Sequence, residues 1–157
     1  MIPVKEVMTT KVISFDQDLE VGEAADRLSR SRITGAPVTD AEGHVVGIVS
    51  EVDFFSKRGK KVADIMSRQV ISIGEDTSIE EAARLLVDRR IRRLPVMAQG
   101  RMVGLLSRSD VLDFFASSQW TCQACGQGYR GLEAPSACDF CSGTDFRLER
   151  GSLAPGT

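Results

Sequence analysis

Glu23-Ala24-Ala25, followed by Leu28, returns 58 residues later as Glu81-Ala82-Ala83, followed by Leu86. Upstream of that pair, Met8 falls on Met66, Val12-Ile13-Ser14 on Val70-Ile71-Ser72 and Asp18 on Asp76. Downstream, Arg32-Ile33 falls on Arg90-Ile91 and Pro37-Val38 on Pro95-Val96. One residue fewer in the next loop shortens the offset to 57, and Gly43, Val46-Gly47, Ser50 and Asp53 then meet Gly100, Val103-Gly104, Ser107 and Asp110. Matches in this order mark a tandem duplication.

Each copy opens with a β-prone run, Val12-Ile13-Ser14-Phe15 or Val70-Ile71-Ser72-Ile73. A helix follows. Val21, Ala24, Ala25 and Leu28 recur at i, i+3, i+4 and i+7, as do Ile79, Ala82, Ala83 and Leu86, which gives each helix one buried face. Ser78-Ile79-Glu80-Glu81 has the form of a capping box, whereas the first copy carries Glu20 in the cap position. Two short strands come next: Ala36-Pro37-Val38 and Val45 to Val49 in one copy, Leu94-Pro95-Val96 and Met102 to Leu106 in the other. Turns at Asp40-Ala41-Glu42-Gly43 and Gln99-Gly100 join them. Short helices over 51–56 and 108–116 close the copies, and Lys57-Arg58-Gly59-Lys60-Lys61 reads as an exposed crossing. The pattern is β-α-β-β-α in about 57 residues, an α+β arrangement too small to bury much core alone, so the copies are expected to pack together.

The whole chain of 157 residues is 42% hydrophobic, 27% charged and 6% aromatic, with a formal net charge of −2. That balance excludes binding to nucleic acid or anionic membrane through bulk charge. No apolar stretch approaches the roughly 20 residues of a membrane span. The opening Met1-Ile2-Pro3-Val4-Lys5-Glu6 lacks a secretion signal, so the expected location is the cytoplasm. All four Cys lie in two Cys-x-x-Cys pairs between 122 and 141, a pattern that in such a chain favours metal ligation over disulfides.

Residues 1 to 117 resemble a tandem pair of CBS domains, the regulatory unit known as a Bateman module. The resemblance rests on the Met openings, the Glu-Ala-Ala helices, the residues before Pro37 and Pro95, and two endings. These are Gly47-Ile48-Val49-Ser50-Glu51-Val52-Asp53 and Gly104-Leu105-Leu106-Ser107-Arg108-Ser109-Asp110. It implies a pseudo-twofold pair with two clefts that take AMP, ADP, ATP or S-adenosylmethionine, and by family habit a homodimer. It also implies that each cleft combines the Ser-x-x-Asp of one repeat with the first strand and pre-proline segment of the other. Ser50 and Asp53 would join Val70, Ile91 and Arg93, while Ser107 and Asp110 would join Val12, Ile33 and Thr34. The chemistry is coherent: at a helix start the hydroxyl and free amides suit phosphate, and the Asp carboxylate accepts from a ribose diol. Taken singly, Ser-x-x-Asp is equally an ordinary helix cap. Arg93 supplies a guanidinium where its counterpart is Gly35, so its cleft is expected to favour phosphorylated ligands.

Cys122-Gln123-Ala124-Cys125 and Cys138-Asp139-Phe140-Cys141 present four thiolates, a set that suits one Zn²⁺ or iron; redox dithiols are the alternative. Trp120-Thr121-Cys122, Cys125-Gly126, Tyr129, Gly131, Pro135 and Cys138 resemble the rubredoxin-like ribbon at the end of rubrerythrins, in which one iron sits in four thiolates. Asp139 departs from that pattern, which often carries Pro there. The expected domains are 1–58, 59–118, a ribbon at 119–150 whose folding depends on metal, and a disordered tail at 151–157.

No hydrolase, P-loop or zinc-protease motif is present in the sequence, so no catalytic residue is assigned and an enzyme is not expected. The reading is an adenosine-ligand sensor with a metal ribbon for structure or for docking a protein partner. One alternative is a one-electron carrier with iron in the ribbon. Another is a nucleic-acid-binding zinc ribbon, which the mixed charge of 119–150 disfavours. The Arg89-Arg90-Ile91-Arg92-Arg93 run reads as a solvated helix end. His44 reads as an exposed residue without a partner.

Overall fold

A computed structural model describes residues 1–151. The chain forms a 3-10 turn, Val4–Glu6, and then β1 (Phe15–Asp16), α1 (Val21–Ser31), β2 (Gly35–Thr39), β3 (Val45–Ser50) and α2 (Glu51–Ser56). A short α3 (Val62–Ile65) precedes β4 (Ile73–Gly74), α4 (Ile79–Asp88), β5 (Arg93–Ala98), β6 (Arg101–Ser107) and α5 (Arg108–Ser117). The last segment is β7 (Ser118–Cys122), β8 (Gly128–Tyr129) and β9 (Phe146–Arg150). Three three-stranded sheets result, ordered β1-β2-β3, β4-β5-β6 and β8-β7-β9. Both repeats therefore adopt the expected α+β order.

The opening strands are shorter than the β-prone runs that contain them. β1 runs parallel to β2 with Phe15 opposite Val38, and β4 parallel to β5 with Ile73 opposite Val96. One step upstream, each register meets a proline, Pro37 or Pro95, which has no N–H to donate, and the ladder stops there. Val12 and Val70 are consequently half-buried residues of irregular segments rather than strand residues.

Helices α1 and α4 end alike. Arg32 and Arg90 take left-handed conformations (φ 53° and 54°), and Ile33 and Ile91 donate amide bonds back to Leu28 and Leu86. These are the closures that glycine usually makes, here built on arginine, which accounts for the repeated Arg-Ile pair. At the other end Ser78 caps α4, its hydroxyl accepting from Glu81 N–H at 3.2 Å, whereas Glu20 makes no side-chain cap to α1.

The chain divides into two compact units, each exchanging segments with the other repeat in sequence. In the unit of Thr9–Gly74 and Pro95–Leu105, the core joins Phe15, Ala24, Leu28, Ala36, Val38 and Val49 to Val62, Ile65 and Met66. The last three belong to or follow α3, which the sequence reading did not foresee because four residues carry no measurable periodicity. The exposed crossing before it is fastened: Asp64 accepts the Lys60 and Lys61 amides, both at 3.0 Å. Gly47 is buried against this segment, since Ile48 and Ser67 exchange both backbone bonds at 2.9 and 2.8 Å.

In the unit of Met1–Met8, Glu75–Leu94 and the chain from Leu106, the buried residues include Val4, Ile79, Ala82, Leu86, Leu94, Leu106, Phe114 and Trp120. Helix α5 runs without a break into β7, and the ribbon closes over its end. Arg130 Nη1 donates to the Ala116 and Ser118 carbonyls at 2.6 and 3.1 Å, and Gly151 N–H donates to Ser117 at 2.7 Å. Of the tail expected at 151–157, Gly151 is thus held, and the remainder lies outside the described residues.

Candidate ligand-binding helix starts and metal centre

Ser50 and Ser107 are the N-cap residues of α2 and α5. In each repeat the Asp three positions on turns back to its own cap. Asp53 Oδ2 accepts Ser50 N–H at 2.8 Å, and Asp110 Oδ2 accepts Ser107 N–H at 2.9 Å. Ser107 Oγ in turn accepts Asp110 N–H at 3.2 Å, completing a reciprocal capping box. The repeated Ser-x-x-Asp is therefore a structural cap in both copies, whatever else it binds.

In the first copy the other carboxylate oxygen of Asp53 meets a lysine. Lys57 Nζ lies 3.0 Å from Asp53 Oδ1 and also donates to the Ile65 carbonyl at 3.1 Å, so Asp53, only 9% exposed, enters an ion pair. The position matching Lys57 in the second repeat is Phe114, which is buried. From the sequence Lys57 reads only as the start of an exposed crossing, although its i+4 spacing from Asp53 is a signal for such a pair.

Backbone bonds join each helix start to the pre-proline segment of its own repeat. Glu51 N–H donates to Thr34 O at 2.9 Å; Arg108 N–H donates to Arg92 O at 3.1 Å and its Nε to Ile91 O at 3.0 Å. Thr34 and half-buried Ile33 thus flank Ser50, while Ile91 and Arg93, the first residue of β5, belong to the segment that meets α5. This within-repeat adjacency is distinct from the cross-repeat grouping expected from the family resemblance.

The four cysteines converge. Their sulfurs all lie within 4.8 Å of one another, with Cys122–Cys141 and Cys125–Cys138 each 3.6 Å apart. A tetrahedron with Zn–S bonds of about 2.3 Å has edges of about 3.8 Å, so this spacing fits four ligands of one ion. It is far from the roughly 2.05 Å of a disulfide. Both knuckles fold the same way: Gly126 N–H bonds to Cys122 O, Ser142 N–H to Cys138 O, and Gly126 and Ser142 have φ of 84° and 63°. In each the first cysteine, Cys122 or Cys138, is buried and the second, Cys125 or Cys141, is exposed.

The thiols are not equivalent. The Tyr129 hydroxyl beside Cys138 Sγ, at 3.3 Å, is the main cause that holds that thiol down to about 6. The Cys125 amide lowers Cys122. The Gly143 amide pulls on Cys141, but the neighbouring sulfurs prevail and push it up to about 12. Crowded thiols resist simultaneous ionisation, which a shared cation relieves.

Asp40 accepts the Glu42 and His44 amides, at 3.0 and 2.9 Å, and His44 Nδ1 lies 3.5 Å from its carboxylate. His44 is exposed as expected but does have a partner, because the turn that ends at Gly43 folds it back. The His44 amide is the main cause that holds Asp40 below its ordinary value. Arg89, Arg90 and Arg92 are exposed at and beyond the end of α4, in agreement with a solvated helix end. Among the described residues no helix is long and apolar enough to cross a membrane.

The CBS-domain profile matches residues 4–59 and again 62–117. The inosine-5'-monophosphate dehydrogenase of Methanocaldococcus jannaschii is 36% identical over 110 residues, covering 68% of this chain and 22% of that protein. This chain thus spans about a fifth of that enzyme's length. The CBS domain-containing protein YhcV of Bacillus subtilis is 28% identical over 118 residues, 71% of this chain and 84% of the relative. Among solved structures, CBSX2 in complex with AMP superposes with a TM-score of 0.68 and 30% identity, over 71% of this chain and 94% of that one. The CBS domain pair of MJ0100, in complex with 5'-methylthioadenosine and S-adenosyl-L-methionine, gives a TM-score of 0.69 and 27% identity over 74% and 97%. Duplicated β-α-β-β-α folds, repeated capped helix starts and a profile match over both copies together place this chain in the CBS-domain family, with two CBS domains in tandem.

Proposed function

We propose that this protein is a regulatory sensor of an adenosine-containing ligand, not an enzyme, with a four-cysteine metal ribbon that serves as structure or as a docking surface for a protein partner. The observation that carries the reading is the likeness of this tandem to CBS pairs that hold AMP or S-adenosyl-L-methionine. The residues proposed to contact ligand are one set of Ser50, Asp53, Val70, Ile91 and Arg93 and a second of Ser107, Asp110, Val12, Ile33 and Thr34. In each, the carboxylate takes the ribose hydroxyls, and the helix-start amides with the Ser hydroxyl take phosphate or carboxylate oxygens. Arg93 adds a guanidinium to the first. The proposed domains are the two repeats at 1–58 and 59–118 and the ribbon at 119–150. Homodimerisation and a cytoplasmic location complete the reading.

Cys122, Cys125, Cys138 and Cys141 would hold one Zn or Fe as a closed four-thiolate site, which supplies folding free energy to a ribbon that has almost no core of its own. A second reading, a rubredoxin-like one-electron carrier, draws support from the exposure of Cys125 and Cys141, which brings the site within reach of a redox partner docked at the surface. Visible absorbance separates the two, because ferric thiolates are red and zinc thiolates colourless.

The test of the sensor is a thermal-shift panel of AMP, ADP, ATP, S-adenosylmethionine and NAD. A ligand at 100 times its dissociation constant stabilises the folded state by about 2.7 kcal/mol. The expected result is a shift with at least one, lost in Asp53→Ala; no shift with any refutes adenosine sensing. Calorimetry should show Asp53→Ala weakening binding far more than Asp110→Ala, and equal effects would refute the dominance of the Arg93 cleft.

A further inference from the structure

Tyr129 belongs to the two-residue strand β8, where it pairs with Trp120 of β7. Its ring stands edge-on to Phe146, with centroids 5.9 Å apart at 81°. The strand and the ring contact fix where the phenol oxygen lies. That oxygen accepts the Asp139 N–H at 2.8 Å and sits 3.3 Å from Cys138 Sγ. A sulfur acting as a metal ligand is a thiolate and can only accept, so the hydroxyl proton points at it, while the Asp139 amide occupies the oxygen's accepting side. Gly143 N–H reaches Cys141 Sγ at 3.4 Å, a backbone contact of ordinary kind for such a knuckle. Among the described residues, Tyr129 is the side chain other than cysteine that bonds to one of the four sulfurs.

We infer that Tyr129 is a positioning residue of the metal centre, its hydroxyl orienting Cys138 and withdrawing electron density from that sulfur. The inference rests on the four-thiolate reading given above. A metal ligand held by an outer hydrogen bond is pre-oriented, and loss of such partners typically costs 10- to 100-fold in metal affinity. A hydrogen-bonded thiolate is also a poorer electron donor. The sulfur-to-metal charge-transfer band of a loaded site therefore lies at higher energy with the bond than without it, and with iron the bond favours the ferrous form.

The test uses the full-length protein and cobalt(II) as probe, with Tyr129→Phe, which keeps the ring against Phe146 and removes only the hydroxyl. The expected result is a charge-transfer band moved to lower energy and an affinity about 10- to 100-fold weaker by chelator competition. Phe146→Leu is the packing control: it loosens the same ring without removing a donor and should leave the band in place. An unshifted band in Tyr129→Phe overturns the inference whatever the affinity does. An equal shift in Phe146→Leu also overturns it, because packing rather than the hydroxyl would then set the band. If the parent protein takes up no cobalt, the four-thiolate reading itself fails, an outcome distinct from both.

Discussion

Gly47→Ala separates two roles for the glycine that precedes Ser50. A Cβ at position 47 would lie 2.5 Å from Met66 Sδ, 2.9 Å from Met66 Cγ and 2.8 Å from the Ser67 carbonyl oxygen. Ordinary carbon–oxygen contacts begin near 3.3 Å, so the Ser67 backbone must retreat by about 0.5 Å. Met66 is only 6% exposed and packed in the core, so its thioether has little room to yield. Overpacking of this kind costs about 1–3 kcal/mol. Ser67 also exchanges backbone bonds of 2.8 and 2.9 Å with Ile48, each worth about 1 kcal/mol, and both are stretched by the same retreat. The total is about 2–4 kcal/mol, or a melting temperature lowered by roughly 5–15 °C for a chain of this length. Urea denaturation with and without ligand measures it, and in a double-mutant cycle Gly47→Ala should cost less in a Met66→Ala background than in the parent but not nothing, since the carbonyl clash persists. A Gly47→Ala protein within about 0.5 kcal/mol of the parent, but with weakened ligand binding, would refute the packing argument and assign the glycine to close approach of a ligand instead.

Three further outcomes are expected. The Lys61 and Lys60 amides, in that order, hold Asp64 below its ordinary carboxylate value. A lowered folded-state pKa stabilises above the unfolded value near 3.9 and ceases to do so as pH falls through the folded one. The stability gap between the parent and Asp64→Ala should therefore narrow below about pH 4, and a gap constant down to full protonation would exclude this charge effect. Arg130→Met should speed amide exchange in the last turn of α5 by roughly three- to tenfold, because a cation at a helix C-terminus stabilises it modestly; unchanged exchange would show that the clamp contributes nothing. Chelation at neutral pH should red-shift the emission of Trp120, the one tryptophan and 8% exposed, while the far-ultraviolet signal of the repeats persists. Because thiols must lose protons to bind metal, affinity should rise with pH. Trp120 emission unchanged after complete metal removal would show that the ribbon folds without it.

Much of this architecture was legible in the sequence. The duplication, the helical faces around Ala24 and Ala82, the hairpins with their turn glycines, the Ser78 cap and the cysteine pairs all follow from local periodicity and spacing. These depend on residues close in the chain, which is why they could be read before any fold was known. The closing helices over 51–56 and 108–117 ended within one residue of their expected bounds.

Tertiary structure decided what depends on partners distant in sequence. The runs at 12–15 and 70–73 look equally strand-like throughout, and only the parallel register against Pro37 and Pro95 trims them to their last residues. The contribution of α3 to the core arises from packing, since four residues carry no pattern of their own. The Asp53–Lys57 pair has no counterpart at Phe114, the matching position of the second copy, and the Tyr129 hydroxyl distinguishes Cys138 from its partners through a contact that residue spacing does not show. Residue spacing specifies which elements form. Register and hydrogen-bond partners, set only once those elements pack, specify what each functional side chain touches.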